Sequence, residues 1–147
     1  MTQRLWDQAQ AGETLDPLSF PLSVYRLVVT AGANRDFNSI HHNSEYAKAS
    51  GAPEMYANTL LLQGMWERAL RNYMGLDGQL RRIAGFRMNS FNCVGETVVV
   101  KGEVVRKWRE GDEGFVEIKM WSENGGRMTV GPGLATITLP LAEATAP

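Results

Sequence analysis

The sequence predicts an α+β fold in which one long helix precedes an antiparallel sheet. Residues 58–74 contain no proline and carry a broad apolar surface at helical spacing. After Gly78 the apolar residues alternate with polar ones, which is typical of half-buried strands. A length of 147 residues with 44% hydrophobic side chains suits one domain over residues 1–147. We expect a short N-terminal segment and fraying of the tail from Ala142 to Pro147.

Two shorter helices are predicted before the long one. From Ser23 to Ala33 apolar residues recur at i, i+3, i+4 and i+7, which places Val24 and Val28 on the face that should be buried. The β-branched run 28–30 favours a strand there instead, and both alternatives stay open. A second helix is predicted over Ser44–Ala49. The serine that begins each segment is its expected N-cap.

The long helix is predicted to run from Asn58 to Met74 and to end at Gly75. Its wide apolar surface predicts burial on several sides, as for a helix wrapped by a sheet. Four strands should follow, joined by glycine-containing turns, and Gly131-Pro132-Gly133 should kink the last of them. The predicted strands are Leu80–Asn89, Thr97–Trp108, Gly114–Glu123 and Arg127–Leu139.

Composition excludes several function classes. A formal net charge of −1 and a pI near 6.1 argue against a general nucleic-acid binder. The N-terminus has no apolar run and no window approaches a membrane span, so we expect a cytoplasmic protein without membrane attachment. Cys93, the single cysteine, forbids an internal disulfide and disfavours a metal site, and we predict no bound metal.

The residues that could carry chemistry cluster in the segment 36–42. Asp36 and His41 lie five residues apart across a predicted turn, and His42 follows directly. A turn that brings a carboxylate and an imidazole together lets them hold one water, with the imidazole accepting its proton near neutral pH. The alternative is an Asp that caps the turn and a His that faces solvent.

Other catalytic interpretations are poorer. Adjacent histidines diverge and no carboxylate cluster completes a metal site. No Gly-x-Ser-x-Gly elbow supports a serine triad, and Cys93 lacks a basic neighbour that would activate its thiol. The first N–H groups of the long helix, from Asn58, Thr59 and Leu60, have no intrahelical partners and could stabilise an oxyanion. Asn58 could equally be a plain N-cap.

The stretch from Ala31 to His41, which contains Asp-Phe-Asn-Ser-Ile-His, resembles the signature of MaoC-like (R)-specific enoyl-CoA hydratases and dehydratases. The likeness extends over roughly residues 5 to 140. The pattern also resembles short subunits of bacterial hydratases that act on steroid side-chain CoA esters, where a competent short chain pairs with a degenerate one. Ser39 replaces the usual proline of the motif, and Asn58-Thr59 replaces the usual His-Gly.

The resemblance implies a hot-dog fold, in which a curved antiparallel sheet wraps a long central helix. It implies that Asp36 and His41 are the acid–base pair for adding water to, or removing it from, an acyl-CoA thioester. The Thr59 N–H would bind the thioester oxygen, and Asn58 and Asn38 join it as oxyanion or substrate-binding candidates. It implies no cofactor, and a homodimer or a heteromer with a second hot-dog chain.

Two other functions remain open at the level of sequence: a hot-dog acyl-CoA thioesterase, and a non-catalytic hot-dog subunit that binds acyl-CoA. The acyl chain cannot be deduced from the residues. The pocket candidates are Met55, Tyr56, Leu61 and Trp66. The candidates for binding CoA phosphates are Arg81, Arg82, Arg87 and Arg106.

Overall fold

The computed structural model describes residues 2–142, and the residues predicted to fray lie mostly outside this range. Three helices occupy the first half: α1 (Val24–Ala33), α2 (Ser44–Ala49) and α3 (Thr59–Met74). Five strands complete the fold: β1 (Leu18–Pro21), β2 (Gln79–Ala84), β3 (Thr97–Glu110), β4 (Glu113–Asn124) and β5 (Arg127–Leu139). The predicted α+β class, with an antiparallel sheet that follows the long helix, is confirmed, although β1 precedes the helices.

The five strands form one antiparallel sheet in the order β1-β3-β4-β5-β2. Alternate residues of the central strands point into the core, because successive side chains of a strand face opposite sides. The inward face of β3 and β4 is fully buried and consists of Val98, Val100, Val104, Val116, Ile118 and Met120. Within the described range 2–142, no helix is long and apolar enough to cross a bilayer.

Helix α3 packs its apolar face against the concave side of the sheet. Its buried residues are Leu62, Met65, Trp66, Ala69, Leu70 and Met74. Trp66 is completely buried, and its indole Nε1–H donates to Ser122 Oγ on β4 at 2.8 Å. Burial is one-sided at the start of the helix, since Leu60 remains 54% exposed. The helix therefore presents its N-terminal turn to solvent, and further along it buries one face while Glu67 and Arg68 on the other face stay exposed.

Several sequence predictions were wrong in detail. Strand β1 was not predicted, because four residues that end in Pro21 carry too little alternation to be recognised. The strand predicted over Leu80–Asn89 ends at Ala84, where Gly85 adopts a φ of 69° and turns the chain away from β5. Asn43, and not Ser44, caps α2 by accepting the N–H of Tyr46 at 2.9 Å.

Helix α1 forms where it was predicted, and the Ser23 hydroxyl caps it by accepting the Arg26 N–H at 3.1 Å. Its predicted buried face is only half right. Leu27 is buried, whereas Val24 and Val28 are 56% and 44% exposed because α1 lies at the margin of the chain's core. The helix thus leaves an apolar face in solvent.

The predicted kink in β5 is confirmed. The pairing of β4 with β5 shifts register between Met120 and Ser122, where Gly133 and Val130 are the opposing residues. A side chain at Gly133 would meet the Ala84 carbonyl oxygen at 2.7 Å, so the close approach of β2 requires glycine there.

Candidate active site

Asp36 is positioned by the way α1 ends. The Arg35 N–H donates to the Gly32 carbonyl at 3.1 Å, and the Asp36 N–H donates to the Ala31 carbonyl at 2.9 Å. These two bonds form a Schellman turn, which requires one residue in the left-handed region. Arg35 fills that position with a φ of 55°, the one positive φ of a non-glycine residue within residues 2–142. Such a conformation costs about 1–2 kcal/mol for an L-residue.

His41 follows in a single 3-10 turn, Ser39–His41, and lies against the end of the loop that leads to α3. Asn38 caps this turn, because its Oδ1 accepts the Ile40 N–H at 3.2 Å. His41 is buried, whereas His42 is exposed, so the two adjacent histidines do diverge. The predicted contribution of Asn38 to substrate binding stays a prediction.

The ring orientation of His41 is set by a backbone group. Its Nδ1 lies 2.8 Å from the Tyr56 carbonyl oxygen, which can only accept, so Nδ1 carries a hydrogen and donates. The Tyr56 ring packs edge-on against the imidazole, with centroids 5.2 Å apart. The other nitrogen, Nε2, is therefore the atom that faces the candidate site and can take up a proton.

Asp36 and His41 are in contact. Nε2 of His41 lies 3.2 Å from Oδ2 of Asp36, which is close enough for one water to contact both atoms. The His41 side chain is 9% exposed and that of Asp36 is 35% exposed. A small molecule can thus reach the pair from the carboxylate side while the imidazole stays fixed.

Asn58 connects this pair to α3. It is 4% exposed, and its Oδ1 caps the helix by accepting the Leu61 N–H at 2.8 Å. Its Nδ2 donates to Oδ2 of Asp36 at 3.2 Å, and Asn34 Nδ2 lies 3.5 Å from the Asn58 oxygen. One buried amide therefore ties the helix start to the carboxylate. The cap predicted for Asn58 is confirmed, and direct substrate binding by Asn58 stays a prediction.

Thr59 begins α3 with ordinary helical backbone, so this position does not demand glycine. Within residues 2–142 the N–H groups of Thr59 and Leu60 have no hydrogen-bond acceptor. They lie at the positive end of the helix dipole, where a developing negative charge is stabilised. The Thr59 hydroxyl contacts the Met88 sulfur at 3.7 Å. The oxyanion role predicted for Thr59 stays a prediction.

A cavity of about 280 Å³ opens beside this end of α3. Met88 and Tyr56 join it to the site, since the first contacts Thr59 and the second carries the carbonyl that orients His41. Its walls are Tyr56, Ala57, Leu62, Met88, Asn89, Ser90, Phe91 and Asn92. Tyr56 is thus the predicted pocket residue that lines it. Met55 and Trp66 are core residues, and Leu61 lines a separate groove.

Two groups near the cavity stay protonated. Burial raises the pKa of Tyr56, and the negative charge of Asp36 raises it further, so the phenol remains neutral. Burial also raises the pKa of the Cys93 thiol, and Glu96 adds to that effect. A buried, protonated thiol is a poor nucleophile, which agrees with the interpretation of Cys93 as a small buried residue.

The four candidate arginines separate into two groups. Arg81 is paired with Glu113, and Arg106 is paired with Glu117 at 2.8 Å. Arg82 and Arg87 are exposed and, within the described residues, belong to no ion pair.

Three parts of the site were missed by sequence reasoning: the Tyr56 carbonyl, the bond from Asn58 to Asp36, and the left-handed Arg35. The Tyr56 carbonyl could not be predicted, because every residue type has a backbone carbonyl. The left-handed Arg35 could not be predicted either, because Gly or Asn is the usual residue at that position after a helix. Asn58 did carry a signal as a cap, but its second partner depends on how α1 and α3 are placed.

A curled five-stranded sheet around a long helix is the hot-dog fold, and solved structures confirm it. The chain matches the unliganded R-hydratase PhaJ1 from Pseudomonas aeruginosa with a TM-score of 0.83 and 19% identity, covering 97% of this chain and 93% of that one. Further similar structures are MaoC-like dehydratases. At these identities the likeness establishes the fold alone.

Sequence similarity is stronger to one kind of hydratase subunit. The chain is 29% identical over 116 residues to the 3-oxo-4,17-pregnadiene-20-carboxyl-CoA hydratase beta subunit of Mycobacterium tuberculosis, covering 78% of this chain and 83% of the relative. It also matches the ChsH1-ChsH2 complex of that organism with a TM-score of 0.78 and 26% identity, covering 92% of this chain and 100% of that one. No protein-family model matches. The resemblance to MaoC-like hydratases and dehydratases is confirmed.

Proposed function

We propose that this chain catalyses reversible hydration of an enoyl-CoA thioester, with Asp36 and His41 as the acid–base pair. The observation that carries the proposal is the 3.2 Å contact between His41 Nε2 and Asp36 Oδ2 beside the open N-terminus of α3. The named activity of the 29% identical relative supports the same reaction class.

In the proposed reaction, His41 Nε2 takes a proton from water as the water oxygen bonds to C3 of the substrate. The pair of electrons from the C2–C3 double bond moves toward the thioester oxygen, which accepts hydrogen bonds from Thr59 N–H. One such donor contributes about 3–4 kcal/mol to stabilising the transition state. The proton now on His41 Nε2 then passes through Asp36 to C2, which restores the neutral imidazole, so the elements of one water are added and the thioester stays intact. No redox or metal chemistry enters these steps.

The cavity beside α3 is the proposed site for part of the thioester, because it is mainly apolar and adjoins Thr59 and Tyr56. Arg82 and Arg87, the exposed arginines of the candidate set, are the proposed phosphate contacts for CoA. The Mycobacterium tuberculosis relative is named for a steroidal CoA ester, which makes bulky enoyl-CoA esters the first substrates to try.

A second hot-dog chain is the proposed partner. Among residues 2–142 no strand pairs with the outer edge of β2, and α1 leaves Val24, Tyr25 and Val28 exposed. Unpaired strand edges and apolar faces are commonly covered by association. The match to the ChsH1-ChsH2 complex supports the same proposal. Light scattering on the purified chain would show whether the partner is a second copy.

The test is an ultraviolet assay of enoyl-band loss with short, long and steroidal enoyl-CoA thioesters, run on the wild type and on Asp36→Asn and His41→Ala. We expect hydration by the wild type and a loss of at least ~10³-fold in each variant. A thioesterase would instead release free CoA, which a thiol reagent detects. A non-catalytic subunit, which the relative's description as a beta subunit makes the main competitor, would give identical traces for all three proteins.

A further inference from the structure

One polar side chain beside the site is buried without hydrogen bonds. Asn92 is 2% exposed, and neither Nδ2 nor Oδ1 of its carboxamide has a partner within residues 2–142. Its backbone is fixed, because the Asn92 carbonyl accepts the Ala57 N–H at 2.9 Å. This bond sets Asn92 against the residue that immediately precedes the cap of α3. The carboxamide is therefore held close to the candidate site with its hydrogen-bonding capacity unused.

An unpartnered buried amide destabilises a folded chain, and a leucine, which has the same branching and number of heavy atoms, would avoid that penalty. Both atoms of the Asn92 carboxamide are closed to solvent, so bulk water does not satisfy them, and they meet a ligand only when the side chain rotates toward open space. Asn92 is at the same time one of the residues that line the 280 Å³ cavity, which supplies such a space. The other walls combine apolar side chains with the polar Asn89 and Ser90, and none of them hydrogen-bonds the amide.

We infer that the Asn92 carboxamide is a ligand-binding group, which hydrogen-bonds a carbonyl or amide group carried by the thioester inside this cavity. The inference rests on the proposed function for the identity of the ligand. Two parts of such a ligand have the required chemistry: an amide of the pantetheine arm, and a ketone oxygen on the acyl chain. Asn92 is thus a specificity-determining residue that touches the ligand away from the reacting carbons.

Thr129 provides a matched control. It is 1% exposed and its Oγ1 also lacks a partner within the described residues, but Thr129 is not among the cavity walls. Thr129→Val removes an unpaired hydroxyl with little change of shape, as Asn92→Leu removes an unpaired amide. Both variants should melt at a higher temperature than the wild type, and only Asn92→Leu should change ligand binding.

The first measurement needs no catalysis. Selective asparagine labelling gives the side-chain 15N–1H2 signals of Asn92, and we expect them to shift when butyryl-CoA, a saturated thioester, is added to the wild type. Unmoved Asn92 signals beside shifts elsewhere would overturn the inference and leave the proposed function standing. A spectrum that butyryl-CoA does not change at all would overturn both.

The second measurement compares two enoyl-CoA substrates that differ by a ketone in place of one chain methylene. We expect Asn92→Leu to raise KM at least ~10-fold while kcat changes little. If KM rises for both substrates, the Asn92 amide binds the pantetheine arm that they share. If KM rises for the ketone substrate alone, the Asn92 amide binds the ketone of the acyl chain. An unchanged KM for both, with or without a lower melting temperature, would show a structural role and overturn the inference.

Discussion

Replacing Asn58 tests how the start of α3 holds the Asp36 carboxylate. Asn58→Ala removes the helix cap, worth about 1 kcal/mol, and the charge-assisted bond to Asp36, worth about 1.5–3 kcal/mol. We therefore expect a loss of about 2–4 kcal/mol in the free energy of unfolding. In a chain of this size that lowers Tm by about 6–12 °C.

Asn58→Ser separates the two contributions. A serine hydroxyl can still cap α3 but cannot reach Asp36 with an N–H, so only the contribution of the cap, about 1 kcal/mol, should return. Activity should not return, because both variants leave the carboxylate unsupported. We expect kcat for hydration to fall on the order of 10- to 100-fold in each, as for other small misplacements of a reacting group.

Thermal unfolding by circular dichroism and initial-rate kinetics on the same preparations measure both quantities. Ser23→Ala is the matched control, because it removes the cap at the opposite end of α1 from Asp36. It should lower stability by about 1 kcal/mol and leave kcat unchanged. Full activity in Asn58→Ser, or equal stability of the two Asn58 variants, would refute this account of Asn58.

Three further predictions concern groups around the site. Arg35→Gly relieves the left-handed backbone and should stabilise the chain by up to about 1 kcal/mol in urea unfolding, whereas Arg35→Val should destabilise it by at least about 1 kcal/mol. The Lys48 ammonium lowers the pKa of Glu54 to about 2, which favours its charged form in the folded state. The Tm advantage of the wild type over Glu54→Gln should therefore be complete near pH 7 and shrink as pH falls from about 4.5 to 2. Because Cys93 is buried, we expect the Cys93→Ala variant to hydrate enoyl-CoA at the wild-type rate. We also expect the Cys93 thiol to react far more slowly with a disulfide reagent in the folded chain than in the urea-unfolded chain.

The sequence contained enough to predict the architecture. Alternation in β3 to β5 and the broad apolar surface of α3 are properties of residue type, so they can be read without coordinates. The short β1 and the true end of β2 could not be read in this way. Both depend on pairing with strands that are distant in sequence. Pro21 and Gly85 lie where this pairing stops, and the sequence alone does not show which proline or glycine ends a strand.

The site was predicted in part. Asp36 and His41 could be identified because a turn of five residues brings side chains together whatever the rest of the fold does. The orientation of these side chains could not be predicted. It depends on the Tyr56 carbonyl and the Asn58 amide, which belong to the loop before α3 and to the start of α3. The exposure of Val24 and Val28 could not be predicted either. Hydrophobic periodicity identifies the apolar face of a helix, but it does not show which other residues, if any, cover that face.

The most direct test of the central claim is the position of oxygen-18 after incubation of an enoyl-CoA thioester in H₂¹⁸O. If Asp36 and His41 add water across the double bond, the label appears on C3 of an intact 3-hydroxyacyl thioester, and Asp36→Asn and His41→Ala abolish it. Label in the carboxylate of a free acid, or undiminished C3 labelling by both variants, would contradict the account.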